Sequence, residues 1–317
     1  MSSEELLVVN GIKKMFNVSG KTLKAVDNVS FRIPRGKTLG LVGESGSGKS
    51  TVGRTVLRLL EPDGGSIRFD GEELTKLPGE ALRKKRQQMQ MIFQNPLSAL
   101  NPRMSVGRII QDPMIIHKMG TKKEQLKRVD ELLERVGLPL SVADAYPTEL
   151  SGGQQQRVGI ARALALQPKL IVCDEAVSAL DVSIQLQIIM LLQELQQEFN
   201  LTSIFISHNL AVVEYLSDEV AVMYLGEIVE NGPVEEVFAN PQHPYTRVLM
   251  DSVLKIPESG VKREMVEIRG EMPSPLNPPS GCAFHPRCPL ATEKCRSQKP
   301  EKRLIRPGHE AACHFAG

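Results

Sequence analysis

The sequence predicts an α/β fold with antiparallel strands ahead of its core and a helical insert within it. Three observations predict this. Gly43-Glu44-Ser45-Gly46-Ser47-Gly48-Lys49-Ser50 has the G-x-x-x-x-G-K-[ST] spacing of a phosphate-binding loop, set between an apolar run and a helical pattern. Short β-branched runs end repeatedly in polar residues, as at Asp174-Glu175 and Ser207-His208. Between about 97 and 157 no strand pattern is evident and helical periodicity takes over.

Residues 5–33 alternate and carry β-branched side chains, predicting antiparallel strands, with Phe16 between them. On its residues alone Phe16 reads as core packing. Thr38 to Val42 reads as a buried strand and Ser50 to Leu60 as a helix. Gly46 and Gly48 free the backbone of the loop between them to approach an anion, which then faces N–H groups and the positive end of the helix. Lys49 reaches phosphate oxygens in such loops, and the Ser50 hydroxyl ligates Mg²⁺. A dinucleotide-binding turn fits less well, because Thr51 stands where its third glycine would be.

Ser66 to Glu72 predicts a strand ending in a turn, and Met89 to Gln94 another, cut off by Asn95-Pro96. Lys84-Lys85-Arg86 reads as a solvated basic face. Met104 to His117 and Lys122 to Val136 predict two helices of the insert. Leu150-Ser151-Gly152-Gly153-Gln154 opens a third helix to about Leu166, with Ser151 as its N-cap. Glycine weakens a helix there, so the pair implies close backbone approach. Lys169 to Asp174 is a buried strand. Its terminal carboxylates, after an upstream phosphate loop, fit a pair in which Asp174 holds Mg²⁺ and Glu175 polarises the attacking water. Ser178-Ala179-Leu180-Asp181 precedes an amphipathic helix, Val182 to Phe199; Leu201 to Ile206 is a further strand. His208 follows it, where ligand-facing residues gather in open α/β sheets. Two short strands, Glu219 to Tyr224 and Glu227 to Glu230, and a helix to about Val253 complete this part.

The bulk numbers set limits. The chain has 317 residues, is 41% hydrophobic and 24% charged, and carries a formal net charge of +2. Near-neutral charge argues against nucleic acid as the main partner. No run of ~18 apolar residues predicts a transmembrane helix. The polar, acidic start, Met1-Ser2-Ser3-Glu4-Glu5, is unlike a signal peptide, so a cytoplasmic location is expected.

After Asn240 prolines multiply, at Pro257, Pro273, Pro275, Pro278 and Pro279, predicting a linker and a small loop-rich module over 256–317 beside a domain over 1–255. Cys282, Cys288, Cys295 and Cys313 lie there with spacing C-x5-C-x6-C-x17-C. In a reducing compartment that clustering suggests metal before disulfides, although the C-x2-C pairs of zinc sites are missing. Cys173 reads as a small buried hydrophobe in its strand.

Read in order, the phosphate loop, Gln94, Leu150-Ser151-Gly152-Gly153-Gln154, Asp174-Glu175, Ser178-Ala179-Leu180-Asp181 and His208 resemble, motif by motif, the nucleotide-binding domain of ABC transporters. The resemblance covers roughly residues 5–250. His243-Pro244-Tyr245 and Pro273 to Cys282 look like the C-terminal extension of ATP-binding subunits of dipeptide and oligopeptide importers. It implies a P-loop ATPase core with an antiparallel β-subdomain and a helical insert, plus a metal-binding C-terminal module. It also implies a head-to-tail dimer with a second ATPase subunit, alike or homologous, burying ATP at the interface. One subunit would supply Phe16 against adenine, Gly43, Ser45, Gly46, Ser47, Gly48, Lys49, Ser50 and Thr51 around the phosphates, and Gln94, Asp174, Glu175 and His208. The facing subunit would supply Ser151, Gly152, Gly153 and Gln154, with Asp181 coupling the two sites. Mg²⁺ would be held through Ser50, Gln94 and Asp174.

The resemblance implies further a [4Fe–4S] cluster on the four tail cysteines, with zinc as the alternative. Two permease subunits and an extracytoplasmic peptide-binding protein are the implied partners, and the cytoplasmic face of the membrane the implied site of work. A soluble ATPase clamping ribosomes or DNA is the second reading; such proteins usually have two domains in one chain or a coiled-coil insert, neither evident here. A nickel or other small-solute importer is the third. Ala176 stands where the family usually has proline, which predicts looser positioning of Glu175.

Overall fold

The computed structural model describes residues 4–251 and 270–317. In chain order the elements are β1 (Glu5–Val18), β2 (Lys21–Pro34), β3 (Thr38–Val42), α1 (Lys49–Val56), β4 (Gly64–Phe69), β5 (Glu72–Glu73), α2 (Gly79–Arg86), β6 (Met89–Ile92), α3 (Pro96–Ala99), α4 (Val106–Ile116), α5 (Lys122–Arg135), α6 (Gly152–Leu164), β7 (Leu170–Asp174), α7 (Val182–Phe199), β8 (Thr202–Ile206), α8 (Leu210–Leu216), β9 (Glu219–Tyr224), β10 (Glu227–Pro233), α9 (Val234–Ala239), α10 (Pro244–Asp251), α11 (Glu293–Ser297), β11 (Arg303–Arg306) and β12 (His309–Ala311). They divide into two compact units.

One unit is built mainly from residues 76–206. Its strands β6, β7 and β8 are parallel, with Met89 opposite Leu170 and Asp174 opposite Ile206. β7 is buried throughout, the pattern of a strand covered on both faces. The insert is helical as expected. Val129, Leu132 and Leu133 of α5 and Ile109, Ile110 and Met114 of α4 are buried, and Gln111 donates to Gln125 inside that packing at 3.1 Å. A capping box starts α5: Thr121 accepts from the Glu124 amide, and Glu124 accepts from that of Thr121. Arg157 and Arg162 of α6 donate to the carbonyls of Val136 and Ala99, at 2.6 and 2.5 Å. α6 is thus tied to the rest of the insert by arginines at backbone carbonyls.

The other unit comprises residues 7–33, 38–75 and 207–317. It holds an antiparallel sheet in the order β2-β1-β4-β5. β3 pairs in parallel with β9, Leu41 opposite Ala221, and β9 pairs antiparallel with β10. β10 then pairs with β12, and β12 with β11. The tail read as loop-rich therefore adds two strands and α11. Their signal is faint because the strands are only 4 and 3 residues long and mostly polar. They form because the free edge of β10 supplies ladder partners. The helices α2, α8 and α9 are likewise additions to the sequence reading. The basic run 84–86 is the last turn of α2, where cations favour the helix dipole. The predicted boundary at 255/256, Pro257 and the end of the last helix at Val253 lie outside the described residues.

Candidate functional site

The phosphate loop leaves β3 at Gly43 and enters α1 at Lys49. Gly48 has φ +104°, and a Cβ there would stand 2.2 Å from the carbonyl oxygen of Ala25. Any side chain would both strain the backbone and push the loop off its support. No side-chain hydrogen bond caps the start of α1 at Gly48. Lys49 is only 4% exposed, and its Nζ donates to the carbonyls of Gly43 and Glu44 at 2.8 and 2.9 Å. The cation is thus folded back over the loop it serves. Ser47 Oγ is buried without a hydrogen-bond partner, whereas Ser45 and Gly46 are exposed at the tip. A loop that only glycine fits at Gly48, a folded-back cation and an orphaned hydroxyl fit a polyphosphate. Ser50 and Thr51 are half-buried in the first turn of α1. Phe16 is half-buried with Lys14 Nζ 5.6 Å from its ring centroid, so it is not a core residue. His208 is exposed. Its loop is pinned on both sides: Ser207 N–H donates to Leu41 O at 3.2 Å, and Ser207 Oγ accepts from Asn209 N–H at 3.0 Å.

In the unit of residues 76–206, Asp174 ends β7 buried, 2% exposed. Glu175 turns out of the strand with φ +47°. Its N–H donates to Ile206 O at 3.0 Å, and its carbonyl accepts from both the amide and the hydroxyl of Ser178. Hydrogen bonds on both sides thus hold the Glu175 backbone next to Ala176. The Glu175 carboxylate accepts from Gln94 Nε2 at 2.8 Å, bringing together two residues 81 positions apart.

α6 starts with a capping box. Ser151 Oγ accepts from Gln154 N–H, and Gln154 Oε1 from Ser151 N–H, at 3.3 and 3.0 Å. Gly152 and Gly153 are then the first-turn donors outside the box. A Cβ on Gly153 would stand 2.7 Å from Ile184 Cγ2. Gly153 is therefore demanded inside its own subunit, by Ile184 of α7, whereas a Cβ on Gly152 would make only an ordinary 3.4 Å contact with Leu180 Cδ2. Asp181 is the exposed N-cap of that helix, without a side-chain capping bond.

Glu44, Tyr245 and Arg287 are what the sequence reading missed. Glu44 N–H donates to Tyr245 Oη at 2.8 Å. Arg287 grips the Glu44 carboxylate with two nitrogens, at 2.9 and 3.1 Å. The partners are 201 and 243 positions apart, so no local pattern announces them.

All five cysteines are free. Burial pushes Cys173 up to about 12, with the Asp174 charge acting the same way, as befits an inert core thiol. Burial pushes Cys282 up to about 11, and the charges of Cys295, Cys313 and Cys288 add to it. Cys288 and Cys313 are raised by burial too. Against burial, each of these three sulfurs accepts from the N–H two residues on: Phe284 for Cys282, Leu290 for Cys288, Phe315 for Cys313. Thr292 Oγ1 lies 3.5 Å from Cys295 Sγ. Donors aimed at sulfur fit thiolate ligands. Among the described residues, however, no group of three or more His, Cys, Asp or Glu side chains is placed to hold a metal ion.

A phosphate loop on β3, carboxylates at the end of β7 and a capped Ser-Gly-Gly-Gln helix on a helical insert define a nucleotide-binding subunit of the ATP-binding-cassette class. A family model described as ABC transporter matches residues 26–178, and one described as oligopeptide/dipeptide transporter, C-terminal region, matches residues 229–295. The oligopeptide transport ATP-binding protein AppF of Bacillus subtilis is 51% identical over 323 residues, covering 99% of this chain and 98% of that protein. Among solved structures, the ATP-binding cassette MJ0796, a dimer in a post-hydrolysis state with ADP and Pi, is 29% identical with a TM-score of 0.67, covering 72% of this chain and 98% of that one. CbiO1 of Clostridium perfringens, part of the ABC transporter complex cbiONQ, is 30% identical with a TM-score of 0.66, covering 75% and 92%. The chain belongs to the ABC transporter family of ATP-binding proteins, in the group that carries the oligopeptide/dipeptide transporter C-terminal region.

Proposed function

We propose that this chain is the ATP-hydrolysing subunit of a dipeptide or oligopeptide importer, working at the cytoplasmic face of the membrane. The observation that carries the catalytic reading is the bond between Gln94 and Glu175, which couples a residue beside the helical insert to the carboxylate that would polarise water. Lys49 and the N–H groups of residues 43–51 bind the phosphates, and Phe16 stacks on adenine. Ser50, Asp174 and Gln94 are the residues that would hold Mg²⁺, which would supply positive charge to the phosphates. His208 contacts the terminal phosphate and orients the water. Ser151, Gly152, Gly153 and Gln154 complete the site of a facing ATPase subunit, and Asp181 couples the two sites. Hydrolysis is then a property of a dimer, which rocks two permease subunits fed by an extracytoplasmic peptide-binding protein. No helix among the described residues is long and apolar enough to cross a membrane, which suits a subunit that borrows its span.

The C-terminal segment beyond about residue 256 is proposed as a distinct module in which Cys282, Cys288, Cys295 and Cys313 hold a [4Fe–4S] cluster. The N–H donors aimed at three of the sulfurs support this reading, with zinc as the alternative occupant. Its role is to staple a segment too small for a core of its own. Iron, sulfide and zinc analysis after anaerobic purification tests it; colourless, iron-free protein overturns it. The transport reading is tested by placing the chain with its permease and binding proteins in liposomes loaded with ATP. Uptake of a labelled dipeptide, and not of nickel, supports it; no uptake of any peptide by the full set refutes it.

A further inference from the structure

His243-Pro244-Tyr245 and the loop between Cys282 and Cys288 are singled out by the sequence but take no part in the chemistry above. Both converge on one residue of the phosphate loop, Glu44. Arg287, 7% exposed, donates from Nη1 and Nη2 to the two carboxylate oxygens of Glu44. Its Nη1 also lies 3.5 Å from Tyr224 Oη, and its guanidinium carbon 6.0 Å from the Tyr224 ring centroid. Tyr224, Tyr245, His243 and Phe284 form an aromatic cluster beside it, with ring centroids 4.7 to 5.7 Å apart. Tyr245 Oη accepts the Glu44 N–H, and the Glu44 carbonyl accepts from Lys49 Nζ. Side chain, amide and carbonyl of Glu44 are thus all engaged, by Arg287 of the C-terminal segment, Tyr245 of α10 and the phosphate-binding lysine respectively.

We infer that Arg287 is a positioning residue for nucleotide binding: with Tyr245 it clamps Glu44, and through Glu44 the C-terminal segment sets the affinity of the phosphate loop for ATP. A bidentate, largely buried arginine–carboxylate pair holds orientation as well as distance, which a lysine could not reproduce. Glu44 need not touch the nucleotide. Its fixed carbonyl defines where Lys49 Nζ rests before ATP arrives, and a loop already in its binding conformation spends less of the binding energy on ordering itself. The clamp rests on the reading of residues 43–51 as an ATP site.

The test is ATP titration of the full chain, as wild type, Arg287→Gln, Glu44→Gln and the double variant, with melting curves alongside. Each single variant is expected to bind ATP about tenfold more weakly, equal to about 1.4 kcal/mol. The double variant should fall within about twofold of the worse single one, because both remove the same clamp. Arg287→Lys should recover only part of the loss. In the assembled transporter, KM for ATP should rise by a larger factor than kcat falls. Should Arg287→Gln melt below the assay temperature, Glu44→Gln and Arg287→Lys decide the matter. Wild-type affinity in folded single variants, or losses that multiply in the double variant, would overturn the clamp. A wild-type chain that fails to bind ATP would instead refute the ATP site itself.

Discussion

Gln94 Nε2 donates to Glu175 Oε2 across 2.8 Å, joining the end of the β6 segment to the end of β7. Glu175→Gln keeps the size of the side chain and removes its basicity. Hydrolysis should fall by at least about a hundredfold, in the range removed with a general base. ATP binding should persist. Steady-state phosphate release and nucleotide titration on the same preparation check both; hydrolysis at the wild-type rate would remove Glu175 from the mechanism.

Lys49 makes a second case. Its Nζ rests on two carbonyls of its own loop, so Lys49→Ala strips the loop of its cation and leaves the Gly43 and Glu44 carbonyls without that donor. A hydrogen bond to a charged group contributes about 1.5–3 kcal/mol, so ATP should bind roughly ten- to hundredfold more weakly. Titration with a non-hydrolysable ATP analogue measures this directly.

Gly153→Ala sets two effects against each other. Alanine in a helix is favoured over glycine by about 1 kcal/mol. The added methyl meets Ile184 Cγ2 at 2.7 Å, and a β-branched side chain in a helix has one strongly preferred rotamer. Overpacking of that kind costs about 1–3 kcal/mol, so the variant should be less stable on balance. Adding Ile184→Ala should relieve the clash. Urea unfolding of the single and double variants checks it: failure of the second substitution to offset the first would place the strain elsewhere.

His243 supplies a pH prediction. It is buried, accepts the Tyr245 N–H at Nδ1 across 3.1 Å, and is therefore held neutral. Burial, with a smaller contribution from Arg247, lowers it from 6.5 to about 3. The folded value lies below the unfolded one, so below pH 6.5 only the unfolded chain takes up the proton. This contribution to stability is complete above pH 6.5 and is lost as pH falls towards 3, at about 1.4 kcal/mol per pH unit. Unfolding midpoints at pH 7 and pH 5 should differ less in His243→Asn, whose Oδ1 keeps an acceptor without titrating. Equal pH dependence in both proteins would show that other groups carry it.

Much of the site was legible in the chain because its signals are local. The phosphate loop, the Ser151–Gln154 capping box and the carboxylates after β7 each lie within a few residues, where spacing and element type reveal one another. α7 falls on the predicted Val182 to Phe199 because its cap and apolar stripe are both written in that segment. Phe16 defeats the local reading, since an aromatic residue in a strand is scored as core unless its exposure is seen.

The amino-acid order by itself determined the fold class, the family and the identity of the motif residues, because these depend on backbone propensity and short-range spacing. Only the tertiary structure decided why Gly48 and Gly153 must be glycine, what restrains Glu175 without a proline, and what Glu44 is bound to. Each answer is a contact between segments far apart in sequence. Such contacts arise from packing and buried hydrogen bonds, which carry no period along the chain.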